Sequence, residues 1–179
     1  MKQNNSTLTE VVSQQQRFLE SLDAEKRACN LIITGLKEDG PLSVEEDSAH
    51  TDEEKIVLVL KKIGQENIAP VSVTRLGERR PGLHTRNRPV KVVLHSPGIR
   101  KGILSAAARL KQSGPDFARV YIKKDTHPAL RKEYDRMRRS EREERNKPEN
   151  QGKEVRYDRD TRCITVDGIV VDRFKPTFF

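Results

Sequence analysis

Tryptophan is missing from the chain altogether, and aromatic residues fill only 4% of its 179 positions. With hydrophobic residues at 34%, there is apolar material for one modest core and not for two. A compact centre with polar, helical flanks is the expected outcome. Cysteine is scarce as well. Cys29 and Cys163 stand far apart with no secretory signal ahead of them, which argues against a disulfide scaffold. The expectation is an intracellular protein with free thiols, cytoplasmic ahead of nuclear. No apolar run approaches the ~20 residues of a membrane span, so no membrane partner is expected. His50, His84, His95 and His127 show no ligand spacing with one another or with the cysteines, so neither a metal nor another cofactor is expected. There is no glycine-rich phosphate loop, no nucleophile paired with a base, and no carboxylate cluster beside a metal-type histidine. These gaps argue against an enzyme and against a small-molecule substrate.

Charge is what the chain has in plenty. Charged residues make up 35% of it, the net charge is +8 and the isoelectric point is near 9.6. Such a balance favours a polyanionic partner, nucleic acid first and an anionic membrane surface second. The charge is also segregated. Between residues 37 and 69 nine acids face four lysines, whereas between 71 and 103 eight bases (Arg75, Arg79, Arg80, Arg86, Arg88, Lys91, Arg100, Lys101) meet one acid, Glu78. Arginine dominates the basic half, which suits phosphate forks more than general solubility. The strip falls on strands and a loop, not on an amphipathic helix, so nucleic acid ranks above membrane.

Periodicity supplies the elements. Residues 88–95 alternate as a half-buried strand, with Val90, Val92 and Leu94 on one face and Lys91, Val93 and His95 on the other. Ser96-Pro97 opens a helix carrying Ile99, Ile103, Ala106, Ala107 and Leu110, and Gly114 closes it. Residues 118–123 read as the next strand. Upstream, 30–36 is a short apolar strand ended by glycine, 37–49 an acidic loop, and Thr51-x-x-Glu54 caps a helix that stops at Gly64. Residues 71–76 are a further strand, and 77–87 a basic loop. The order strand, helix, strand, strand, helix, strand is that of the α+β, ferredoxin-like (RRM-type) split βαβ domain.

The flanks differ from this centre. Thr7-x-x-Glu10 is a candidate capping box, followed by Leu8, Val11, Gln15, Phe18 and Leu22 at alternating three and four spacings. That pattern fits a single amphipathic helix folding back on the domain, or the coiled-coil stub of an oligomerising stalk through residues 7–25. Residues 129–147 form a long charged helix with a thin apolar face of Leu130, Tyr134 and Met137, and its later half reads as a solvated face with i,i+4 pairs. Beyond a break at 148–152 come three short strands, the last two joined at Asp167-Gly168, the strongest hairpin signal in the chain. The organisation expected is an N-terminal helix over 1–28, the ferredoxin-like domain over 29–125, the charged helix over 126–147 and a small β-hairpin segment over 148–179.

Several short motifs together carry a resemblance: Asn-Leu-Ile-Ile-Thr-Gly-Leu at 30–36, Arg-Leu-Gly-Glu at 75–78, Arg-Pro-Val-Lys-Val-Val-Leu at 88–94, the helix over 104–111 and Arg-Lys-Glu at 131–133. In order and spacing they resemble the RNA-binding region of the first-open-reading-frame proteins of LINE-type (non-LTR) retrotransposons, over about residues 8–174. In that family a trimeric coiled coil carries an RRM domain and a C-terminal domain, which bind single-stranded RNA and act as a nucleic-acid chaperone. The resemblance implies RNA-binding roles for Arg79, Arg80 and Arg86 in the loop, for Arg131 and Lys132 at the start of the long helix, and for Arg156 in the C-terminal strand. Two departures stand out: the stalk is short, and the C-terminal domain is reduced to a hairpin.

The residues also qualify the RRM comparison. An ordinary RRM stacks bases on aromatics in its two central strands, where this chain offers Ile32, Val90, Val92 and Val93. Tyr121, Tyr134 and Tyr157 read as packing residues. Binding dominated by phosphate contacts, with weak sequence preference, is therefore expected. The contacts would come from Arg75, Arg79, Arg80, Arg86, Arg88 and Lys91, from Lys123 and Lys124 on the fourth strand, and from Arg131, Lys132 and Arg156. The expected activity is non-enzymatic binding of single-stranded RNA, or DNA. A protein-interaction adaptor, working through the N-terminal and charged helices, is the rival.

Overall fold

The computed structural model describes residues 2–38, 51–78 and 87–175. It is a mixed α+β protein whose chain divides into two compact units. One is Lys26–Asp125; the other joins Met1–Glu25 to Thr126–Phe179. The N-terminal helix, which the sequence presents as a separate segment, thus belongs with the C-terminal part of the chain.

The first unit runs β1 (Asn30–Thr34), α2 (Asp52–Lys62), β2 (Ser72–Arg75), β3 (Val90–Val93), α3 (Pro97–Ala106), a 3-10 turn (Ala107–Gln112) and β4 (Tyr121–Lys124). The strands form one sheet in the order β2-β3-β1-β4, with every neighbouring pair antiparallel. Local chemistry sets the helix ends. Thr51 Oγ1 accepts from the Glu54 amide at 3.2 Å while the Glu54 carboxylate accepts from the Thr51 amide at 2.9 Å, a reciprocal capping box. Ser96 accepts from the Ile99 amide at 3.3 Å ahead of Pro97, and the chain turns at Gly64 and Gly114 with φ of 78° and 111°.

Alternation then sorts the sheet into two faces. Leu31, Ile33, Val90, Val92 and Ile122 meet Ile56, Val59, Leu60, Ile63, Ile103 and Leu110 from the helices, and all are buried in one cluster. Gly35 ends β1 with φ of 87°, where a Cβ would fall 1.9 Å from the Arg119 carbonyl oxygen; only glycine fits there. The fourth strand begins at Tyr121 and not at Ala118. Pro115 starts a turn in which the Phe117 and Ala118 amides donate back to Gly114 and Pro115, so these residues cannot also join the sheet.

In the second unit α1 (Lys2–Lys26) and α4 (Pro128–Asn146) accompany β5 (Val155–Asp158), β6 (Cys163–Val166) and β7 (Ile169–Arg173), an antiparallel sheet in chain order. The first helix already runs through Thr7, so Thr7 is an interior residue and not the expected cap. Asp167 and Gly168 both have positive φ, 49° and 81°, the type I′ geometry that the Asp-Gly pair favours. Met137 of α4 packs with Val155, Ile164 and Val166, and Tyr134 meets Phe174 edge to face at 5.1 Å. A sheet too small to stand alone is thereby covered by one helix face.

Candidate nucleic-acid interface

The face of the four-stranded sheet away from its helices is the candidate site, and register alone defines it. Thr74 lies opposite Lys91, Lys91 opposite Ile32, and Ile32 opposite Lys123, so one row crosses all four strands. With neighbouring strands ~4.8 Å apart, the two lysines rise roughly 10 Å apart on either side of Ile32. Ile32 and Asn30 on this face are buried although neither belongs to the helix-side core. Ser72, Val93, Asn30, Thr34 and Tyr121 complete the face. None of these strand residues is a carboxylate. Asp125, just beyond β4, is held by Arg27 at 2.9 Å and by the Asn30 amide at 3.0 Å.

The sequence favours packing for Tyr121, but it is 48% exposed, with the Lys123 ammonium 5.9 Å from its ring centre. Its signal in the sequence was its separation from Lys123 by two, which puts both on one side of a strand. The other tyrosines do pack: Tyr134 and Tyr157 are half-buried. Lys124, expected beside Lys123, points to the opposite side because it pairs with Leu31, although its position at the end of the strand leaves it exposed.

Two expected site residues are internal struts. Arg75 spends all five N–H donors: Nε and Nη2 on Asp52 at 2.9 and 2.6 Å, Nη1 on the Leu36 and Arg88 carbonyls at 3.0 and 2.7 Å, and Nη2 again on the Lys37 carbonyl at 2.9 Å. Arg88 donates through Nε to Glu38 at 3.1 Å and through Nη1 to the Gly77 carbonyl at 2.9 Å. The Arg88 amide donates to the same carboxylate at 2.6 Å, and that bond, with the guanidinium beside it, holds Glu38 below its ordinary carboxylate value. Both arginines fix the ends of loops, so the expectation that they offer free forks to phosphate is corrected. Register puts Arg75 opposite Val90, and alternation puts Arg88 on that same side, so the strand pattern itself turns both toward the helix face and away from the lysine row.

Arg79, Arg80 and Arg86 lie outside the described residues. In the second unit Lys132 is exposed on α4, and Arg131 is exposed with one bond to the Thr126 carbonyl at 3.2 Å. Arg156 is exposed on β5, 3.9 Å from Glu154. Arg139 and Arg142 were not singled out from the sequence, yet they stand exposed at seven and ten residues from Lys132, on the same side of the helix. The later half of α4 carries one pair of the expected i,i+4 kind, Arg145 with Glu141 at 2.9 Å, and just past its end Lys147 meets Glu144 at i,i+3 and 2.8 Å.

The second unit also holds a cavity of about 230 Å³ between α1 and β6–β7, walled by Arg17, Arg162, Arg173, Val12 and Phe174. It falls below the ~300 Å³ at which small-molecule sites begin. Among the described residues no group of three or more histidine, cysteine or acidic side chains could hold a metal ion, and no helix is long and apolar enough to cross a membrane. No protein-family model matches the chain, and no curated protein matches it.

Proposed function

We propose that this protein binds single-stranded nucleic acid, RNA in the first instance, without an enzymatic step and with little sequence preference. The observation that carries this reading is the sheet face away from α2 and α3, where Lys91 and Lys123 flank Ile32 and no strand residue is acidic. Phosphates of an extended strand are the complement of such a face, because ammonium groups on flexible stems reach them without demanding one base. The strand order β2-β3-β1-β4 supports the ferredoxin-like, RRM-type assignment, and with it a ribonucleoprotein or chaperone role of the LINE first-open-reading-frame kind. The exposed cations Arg131, Lys132 and Arg156, together with Arg79, Arg80 and Arg86, belong to the same proposal. Arg75 and Arg88 do not.

The test is affinity for a single-stranded oligonucleotide across salt. Replacing Lys91 and Lys123 by Ala lowers the log-log slope by roughly 1.4, about 0.7 for each lost phosphate contact. An unchanged slope sinks the reading.

A second reading, a protein-interaction adaptor or homo-oligomer through residues 7–25, is favoured by α1. Its exposed residues include Val11 (47%), Phe18 (63%) and Leu22 (39%), whereas Gln16 and Glu20 on the other side are buried. A helix that buries its polar side and leaves apolar residues at a/d spacing in water has a face suited to another helix.

A further inference from the structure

We infer that Tyr121 is a base-stacking platform, so that this face grips the bases of a single strand as well as its phosphates. The inference rests on the nucleic-acid reading above and adds a contact that charge alone does not supply. Tyr121 lies on the first residue of β4, opposite Thr34, half-exposed on the lysine-bearing face. Packing does not account for its position, since the helix-side core is complete without it. Its cross-strand neighbour is Thr34, a small side chain.

The Lys123 ammonium, 5.9 Å from the ring centre, shows that the π face is electrostatically receptive and already positioned under a cation. An arriving base displaces it. An exposed cation–π contact is worth about 2- to 5-fold in affinity, a stacked base about 5- to 150-fold, so the exchange favours the base. The released ammonium is then free for the phosphate next to that base, on the same side as Lys91. A protein partner fits this face less well. Its side chains are threonine, serine, asparagine and lysine around one tyrosine and a half-buried Val93, with Ile32 already buried, so it offers little apolar area for an interface core.

The full-length chain and its Y121A, Y121F and Y121W variants decide the matter, with a uridine homopolymer of about 20 nucleotides and inorganic polyphosphate as the two probes. Y121A is expected to weaken the homopolymer about 5- to 100-fold and to leave polyphosphate within about 2-fold; Y121F is expected to retain both. Because the chain has no tryptophan, Y121W introduces a single reporter whose emission is expected to be quenched by the homopolymer and not by polyphosphate. Wild-type homopolymer affinity in Y121A, equal losses on both probes, or an unquenched Y121W each overturns the stacking role while leaving phosphate binding intact. A wild-type chain that ignores the homopolymer overturns the underlying reading too.

Discussion

A guanidinium has five N–H donors, and at Arg75 each of them ends on Asp52 or on a carbonyl of the chain itself. Lys91 and Lys123, with the same formal charge, stand on the sheet face away from α2 and α3. Position in the fold, not residue type, therefore separates a cation tied up within the chain from one set on the other face of the sheet. Replacing Arg75 by Ala takes the guanidinium from the Leu36 and Arg88 carbonyls and the Asp52 carboxylate, while the Lys37 carbonyl keeps the Lys55 ammonium, and is expected to lower stability by about 2–4 kcal/mol in urea denaturation. Lys91→Ala and Lys123→Ala are each expected to change stability by less than about 0.5 kcal/mol. At Gly35 an added methyl meets the Arg119 carbonyl at 1.9 Å and a φ of 87° as well. Gly35→Ala is expected to cost about 3 kcal/mol or more, read as a fall in the denaturation midpoint.

At the scale of elements, α4 and the three-stranded sheet are joined by an ionic cluster as well as by Met137. Arg136 bridges Glu133 at 2.7 Å and Asp172 at 2.6 Å, and Glu133 also accepts the Lys175 amide at 2.6 Å. Burial pushes the Glu133 and Asp172 carboxyls up, but these bonds outweigh it, and both end below their ordinary values of 4.5 and 3.8. A carboxyl held lower in the folded state than in the unfolded one stabilises the fold above its unfolded value, and that contribution is lost as pH falls through the folded value. The second unit is therefore expected to lose thermal stability progressively below about pH 4.5, and Glu133→Gln to flatten that acid limb, both followed by circular dichroism.

The first helix is tied to the same unit by Glu20, whose carboxylate meets both terminal nitrogens of Arg162 at 2.9 and 2.6 Å. A chain starting at Ala28 is expected to be less stable in its C-terminal part for want of that pair. Phe18→Glu with Leu22→Glu spares the pair and changes the outward face alone, so under the oligomer reading it is expected to lower the sedimentation mass without lowering the melting temperature.

At the scale of the whole molecule, the charge bias makes any grip on polyanions steeply salt-dependent. A chain holding about five phosphates of a single strand is expected to lose roughly 100-fold in affinity between about 50 and 200 mM salt, measured by anisotropy. The sequence by itself determined the element order, the helix caps at Thr51 and Ser96, the Asp167-Gly168 turn and the buried series Val90, Val92 and Leu94. These follow from period, capping and turn chemistry, which act between residues close in the chain. Tertiary structure decided which cations are spent and which are available, since Asp52 and Leu36 meet Arg75 from 23 and 39 residues away. It also decided that Tyr121 stands in the open and that α1 turns Phe18 outward. Alternation sorts residues onto two faces, but which cation on a face is tied up, and which ring stays in the open, depends on what packs from elsewhere in the chain.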